Sequence, residues 1–218
     1  KIFMAGLPLA IATVLVMIYF KLDTVMLSLM KGSSDVGIYS LAYKILEGII
    51  FFPAMLVGLV MPLLSKYFFE QKDVFWRIVQ KTLKVLLIFI LPMVVGTVFL
   101  SEKIILLIGG QDFLPSAGVL NILIFACGFI FLGALFSNAL IAAEKQKTLA
   151  WIYGAGALAN VGANLIFIPK YSYLGAAATT VFTEFLVTLL MVAALFRLFK
   201  KWPSFEGFFR ILLASFLM

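Results

Sequence analysis

Apolar stretches of about 20 residues recur along the chain with short polar breaks between them, and this repeat limits what the chain can fold into. An α-helix of about 20 residues crosses the roughly 30 Å of bilayer hydrocarbon, whereas a membrane-barrel strand needs only about half as many. Of 218 residues, 64% are hydrophobic and only 12% charged, with a mean hydropathy of +1.17. Soluble domains carry about 25% charged residues, so the expected fold is an all-α, polytopic membrane helix bundle. Six spans are expected, at about 2–30, 36–65, 79–100, 115–143, 149–168 and 173–196. Residues 1–201 then make one six-helix lobe, and 202–218 the start of a seventh helix beginning near Phe205. The chain begins at Lys1 without a methionine or signal-peptide pattern and stops at Met218 inside a fresh apolar run, so it is expected to be part of a longer protein.

The net charge of +7 does not mark a nucleic-acid binder, because the bases lie in loops rather than in one soluble patch. Lys66, Lys72, Arg77, Lys81 and Lys84 follow span two, Lys145 and Lys147 follow span four, and Arg197, Lys200 and Lys201 follow span six. The alternate loops hold Lys31, Lys103 and Lys170, with Asp35, Glu102 and Asp112 beside them. The positive-inside rule places the first set, and Lys1, in the cytoplasm. Arg77, Lys81 and Lys84 fall at i, i+4 and i+7, opposite Phe75, Ile78, Val79 and Leu83, which predicts an interfacial lead-in to span three. Its basic face either lies along an anionic leaflet or binds an anionic partner. With no histidine and a single cysteine, Cys127, inside a span, neither metal nor cofactor is expected.

Charges within the spans point to function. Span one reads Tyr19-Phe20-Lys21-Leu22-Asp23, span two carries Lys44 and Glu47, and span six carries Glu184. An ionised group at mid-membrane costs at least a few kcal/mol, so these side chains are expected to face the protein interior or a polar chamber. At about 1.5 Å per residue, Lys21 and Asp23 lie about 10–14 Å below the outer end of span one, and Lys44 and Glu47 about 12–17 Å below that of span two. Asn160 and Asn164 reach a similar depth, about 6–13 Å, and share one face of span five. They are either interhelical glue or part of the chamber wall.

Ser40, Lys44 and Glu47 form one stripe of span two, and Tyr39, Tyr43 and Glu47 an adjoining one. Asp23 is turned about 200° from Lys21, so the two cannot face the same point. Two readings stay open: an ion-pair network, Lys21 with Glu47 or Lys44 with Asp23, that locks the helices, or lysines that attract an anionic headgroup beside tyrosine rings. Glu184 either pairs with a lysine or carries a proton. Pro53 and Pro62 in span two and Pro92 in span three are candidate hinges, or simple kinks. The small residues of spans five and six, including Gly154, Gly156, Gly162 and the run Gly175-Ala176-Ala177-Ala178-Thr179-Thr180, are expected to serve close helix packing.

Several segments in order resemble the polysaccharide or oligosaccharide flippases of the multidrug/oligosaccharidyl-lipid/polysaccharide exporter superfamily. They are residues 19–28, Gly37-Ile38-Tyr39-Ser40-Leu41-Ala42-Tyr43-Lys44, Met61-Pro62-Leu63-Leu64-Ser65-Lys66, residues 160–171, and Gly175-Ala176-Ala177-Ala178-Thr179. The resemblance implies the second of two pseudosymmetric six-helix lobes, with an N-terminal lobe preceding Lys1. It also implies alternating access in a prokaryotic cytoplasmic membrane, moving a polyprenyl-diphosphate-linked oligosaccharide whose tail stays among the membrane lipids. By that resemblance Lys21 and Lys44 line the cavity, with Tyr39, Tyr43, Asn160 and Asn164 as further substrate-binding candidates. Asp23, Glu47 and Glu184 are the candidates for ion coupling or ion pairing.

No hydrolase triad, metal-ligand cluster, phosphate-binding glycine loop or nucleotide site is evident, so the chain is not read as an enzyme. The rival readings are a cation-coupled drug exporter working through the three acids, a membrane-embedded enzyme of glycan pathways, and a purely structural subunit. Two chamber lysines disfavour a cationic drug, because like charges repel strongly where water is scarce. Short outer loops disfavour the enzyme.

Overall fold

The computed structural model describes residues 2–204 and 208–216, and among them there is no strand. Lys1, the Tyr19 ring and the expected start of span seven at Phe205 lie outside the described residues. Six helices follow one another: α1 Ile2–Met30, α2 Ser33–Glu70, α3 Lys72–Gly109, α4 Ser116–Ala142, α5 Gln146–Phe199 and α6 Phe208–Phe216, with a short 3-10 turn at Gln111–Phe113. The first five are long and apolar enough to cross a membrane.

The 54 residues of α5 would extend about 80 Å if straight, far beyond one crossing. The chain instead reverses at Ser172, whose φ of 50° and ψ of −129° are not helical. Asn160 therefore comes within 3.4 Å of Thr183, and Gly175 sits against the backbone of Phe167. The arms 146–171 and 173–199 therefore run antiparallel, each long enough to cross a bilayer. Pro169 precedes the reversal and leaves its carbonyl exposed at the end of the first arm, where the Lys31 ammonium donates to it at 2.8 Å. The Ser172 hydroxyl hydrogen-bonds Asp35. The turn between α1 and α2 is thus clasped to the turn of α5.

At the centre stands α4, packed on α5, α2 and α3, and its Leu120, Leu123, Phe131, Leu135 and Phe136 are wholly buried. α1 packs chiefly along α5. Glycine makes the closest approaches possible: a Cβ on Gly156 would lie 2.5 Å from Val187 Cγ2. Leu59, Phe99, Leu107, Trp151 and Leu158 are each at least 70% exposed, an apolar exterior suited to lipid.

The basic stretch Arg77–Lys84 forms the first turns of α3, whose 38 residues run on through Pro92. α2 likewise continues through Pro53 and Pro62, and the departure from helical geometry falls at Ser172.

Candidate functional site: a buried acid and an exposed basic face

The charges of α1 divide between two environments, as their angular separation requires. Asp23 points inward and is 1% exposed, whereas the Lys21 side chain is 66% exposed. Around the Asp23 carboxylate the helices gather donors that carry no charge. Asn164 and Asn160 donate to one oxygen at 2.6 and 2.9 Å, and Thr180 and Tyr39 donate to the other at 2.6 and 3.2 Å. Asn164 also donates to Asn160 Oδ1 at 3.0 Å, and the Tyr39 and Thr180 hydroxyls stand 3.1 Å apart.

The local sequence explains this convergence. Asn160 and Asn164, one turn apart, face α1 together, and the hairpin at Ser172 sends Thr180 back to the same level. Counted from the helix ends at Met30, Ser33 and Ser172, Asp23, Tyr39, Asn164 and Thr180 all lie about 9–12 Å deep. Burying a carboxylate without a counter-ion is costly, and hydrogen bonds to a charged group recover about 1.5–3 kcal/mol each. No lysine or arginine pairs with Asp23 among the described residues. The alternative pairing of Lys44 with Asp23 is therefore not formed: Asp23 is buried, whereas Lys44 is exposed.

The other pairing is formed. Lys21 Nζ lies 2.9 Å from Glu47 Oε1 and 5.7 Å from the centre of the Tyr43 ring. Both partners are about half exposed or more, and such a pair contributes at most about 1 kcal/mol where water reaches it, so Lys21 can exchange Glu47 for another anion. Lys44 is exposed beside them and makes no hydrogen bond or ion pair among the described residues. Tyr43 stacks on Tyr39 at 5.6 Å, and Tyr39 reaches Asp23, so the ring pair connects the exposed face to the buried acid.

Of the residues singled out from sequence, Lys21 pairs with Glu47 on the exposed face, over the buried Tyr43 ring, Lys44 is exposed one turn before Glu47 on α2, and Asp23, Tyr39, Asn160 and Asn164 meet in the interior. Glu184 is buried on the returning arm of α5, within electrostatic reach of Tyr43, Cys127 and Tyr153. Thr180, buried, is the member that sequence patterning assigns to helix packing alone, and Thr183, also buried, is one that it does not single out. Their spacing to Glu184, at i, i+3 and i+4, marks one polar stripe of the second arm and is the signal that identifies them. No cluster of three or more histidine, cysteine or acidic side chains suited to a metal exists among the described residues.

An all-helical bundle of membrane-length apolar helices that buries Asp23 and Glu184 and exposes a charged face at Lys21, Lys44 and Glu47 fits a polytopic membrane transporter. The chain belongs to the MatE family, whose model matches residues 8–166, and so to the multidrug/oligosaccharidyl-lipid/polysaccharide exporter superfamily. It is 26% identical over 191 residues to the Capsular polysaccharide biosynthesis protein CapF of Staphylococcus aureus, covering 87% of this chain and 48% of that protein. It is 27% identical over 177 residues to a Putative O-antigen transporter of Shigella flexneri, covering 81% of this chain and 41% of that protein. The chain thus spans less than half the length of these relatives.

Among solved structures, the lipid II flippase MurJ in an inward closed conformation superimposes with a TM-score of 0.78 at 22% identity, covering 92% of this chain and 44% of that one. MATE in a bent conformation gives 0.77 at 17%, covering 98% and 51%. The chain thus shares the fold of about half of each of these proteins.

Proposed function

We propose that the chain is the second lobe of a flippase that moves polyprenyl-diphosphate-linked oligosaccharide from the cytoplasmic to the outer leaflet by alternating access. The membrane is the cytoplasmic membrane of a prokaryote, with the beginning of this chain on the cytoplasmic side and a first lobe supplied by the rest of the protein. Transport rather than catalysis is the activity proposed.

The observation that carries this reading is the exposed face of Lys21 and Lys44, where the single neighbouring acid, Glu47, is already engaged by Lys21. A diphosphate supplies the missing anion. The names of the relatives in capsular polysaccharide biosynthesis and O-antigen transport support the same substrate class. Rocking would be absorbed where Pro53, Pro62 and Pro92 each remove a backbone hydrogen bond from α2 and α3.

Asp23 is the coupling site in this proposal. Its carboxylate shares the interior with Asn164 Oδ1, which is buried and has no hydrogen-bond partner. Hard oxygens of this kind suit a proton or a small monovalent cation. The second reading, a cation-coupled drug exporter, draws on the same uncompensated acid and on the likeness to MATE folds.

The deciding experiment is leaflet exchange of a fluorescent polyprenyl-diphosphate oligosaccharide in liposomes holding the full-length protein. The double variant Lys21→Ala/Lys44→Ala is expected to slow exchange about tenfold or more, equivalent to about 1.4 kcal/mol of lost headgroup interaction. Exchange unaffected by the double variant removes the lysine face from the mechanism. Transport of an organic cation without glycolipid exchange establishes the exporter instead.

A further inference from the structure

A second polar site lies far from Asp23, at the end of the bundle where α2 passes into α3. Here Arg77, Lys81 and Lys84 form one wall of a cavity of about 360 Å³, and Trp76, Leu87, Trp202, Gln80 and Ser204 complete it. Its shape is built rather than incidental. The Gln80 side chain clamps the linker after α5, accepting from the Ser204 N–H at 3.0 Å and donating to the Trp202 carbonyl at 3.5 Å. Lys201 is anchored on Asp73 at 2.7 Å. Trp202 stacks on Phe196 at 4.5 Å, and Trp76 lies against Phe199 at 5.4 Å, so both indoles are fixed from behind by the returning arm of α5.

The charge in this cavity is unbalanced. Asp73 is committed to Lys201 and lies within reach of Arg77, while Lys81 and Lys84 have no ion pair or hydrogen bond among the described residues. Among the described residues no acid lines the cavity. Three cations on one face, backed by low-dielectric rings, focus a positive potential into a space large enough for an oxyanion with its esters.

Depth identifies the source of that oxyanion. On α3 the exposed apolar residues Val98, Phe99 and Leu100 are followed by exposed Glu102 and Lys103, which sets the hydrocarbon boundary near Leu100. Counting back from Leu100 at about 1.5 Å per residue, Leu87 lies about 20 Å away, Lys84 about 24 Å, Lys81 about 29 Å and Arg77 about 35 Å. Hydrocarbon ends near 30 Å, and the headgroup layer extends about 5–8 Å farther. Leu87 therefore meets acyl chain, Lys81 and Arg77 lie at headgroup level, and Lys84 reaches that level along its own long stem.

We propose that the cavity between the first turns of α3 and the Lys201–Ser204 linker binds the phosphodiester headgroup of an anionic phospholipid, with Arg77, Lys81 and Lys84 on the phosphate and the Trp76 and Trp202 rings walling the cavity. The site is separate from the transport face, and its occupancy pins the linker that leads to α6 against α3.

Native mass spectrometry of the full-length protein, titrated with phosphatidylglycerol and with phosphatidylcholine, tests this. The wild-type protein is expected to favour phosphatidylglycerol about tenfold or more, in keeping with the attraction of each interfacial base for anionic lipid. Arg77→Gln/Lys81→Gln/Lys84→Gln is expected to reduce that preference to within about threefold, while Lys66→Gln/Lys72→Gln/Lys147→Gln, the same charge change outside the cavity, keeps it. Gln80→Ala, which retains every charge but frees the linker, is expected to weaken phosphatidylglycerol binding as well, a loss that a merely basic surface would not show. Inorganic phosphate at millimolar concentration separates the sources. If it leaves lipid binding intact, the lipid is the ligand; if it displaces the lipid, the same oxyanion pocket is filled from solution. Equal binding of the two lipids, or equal loss in the two triple variants, overturns the proposal.

Discussion

Full-length protein carrying Asp23→Asn is expected to remain folded and to lose the response of transport to an ion gradient, by about 10- to 100-fold, the usual range of a coupling interaction. The fold survives because the four donors around Asp23 are of two kinds. Asn160 and Asn164 present amide N–H groups that can only donate, and both meet the same carboxylate oxygen. Thr180 and Tyr39 meet the other oxygen with hydroxyls, which rotate and accept as readily as they donate. An asparagine at position 23 can keep its carbonyl on the two amides and turn its own NH₂ toward the hydroxyls, so every partner stays satisfied. Only the charge is removed.

Asp23→Ala is different. It strands four buried donors, at about 1–3 kcal/mol for each that finds no partner, and is expected to lower the melting temperature together with activity. Thr180→Val, nearly the same shape, removes one hydrogen bond to the carboxylate and should cost about 1.5–3 kcal/mol while leaving ion dependence measurable. Proteoliposomes under a sodium or proton gradient, with melting followed in parallel, separate these effects. If Asp23→Asn retains full ion dependence, the coupling site lies elsewhere, and Glu184, the other buried acid of the set, becomes its location.

Much of this arrangement is legible in the amino-acid sequence. Helical rise sets the depths, the 3.6-residue turn holds Lys21 and Asp23 apart, and the spacing of Asn160 and Asn164 places both amides on one carboxylate. What periodicity does not specify is which helix faces which. The choice between Glu47 and Asp23 as lysine partners depends on the packing of α1 against both α2 and α5, and long-range contacts of that kind leave no local pattern. Thr180 is hidden for another reason: a hydroxyl in an alanine-rich run reads as a packing residue until the reversal at Ser172 carries it 157 positions back along the chain, to Asp23. The linker cavity is half legible. The basic stripe Arg77–Lys81–Lys84 is plain in the sequence, whereas the Gln80 clamp that turns a stripe into a pocket joins residues more than 120 positions apart.

The reversal of α5 gives the second large prediction. Gly175, three residues past Ser172, lies so close to the first arm that a Cβ would fall inside van der Waals contact of the Phe167 carbonyl and of Ile168 N. Those atoms are backbone, held by helical hydrogen bonds on one side and by the tight turn on the other, and no rotamer change can relieve the clash. Gly175→Ala is therefore expected to push the arms apart and destabilise the protein by about 3 kcal/mol or more, the upper end of overpacking costs. Because Asn164 and Thr180 hold Asp23 from opposite arms, the same displacement should abolish ion-dependent transport in whatever protein still folds.

Gly156→Ala supplies the contrast. Its Cβ would also come too close to a neighbour, at 2.5 Å, but that neighbour is the Cγ2 methyl of Val187. Trimming it with Val187→Ala should recover most of the loss, whereas for Gly175→Ala no side chain is available to trim. In a double-mutant cycle read by thermal melting of the full-length protein, Gly156→Ala and Val187→Ala should couple favourably, by about 1 kcal/mol or more. A Gly175→Ala protein that melts and transports like the wild type would show that the two arms are not in backbone contact, and the Asp23 centre would then have to be held together by side chains alone.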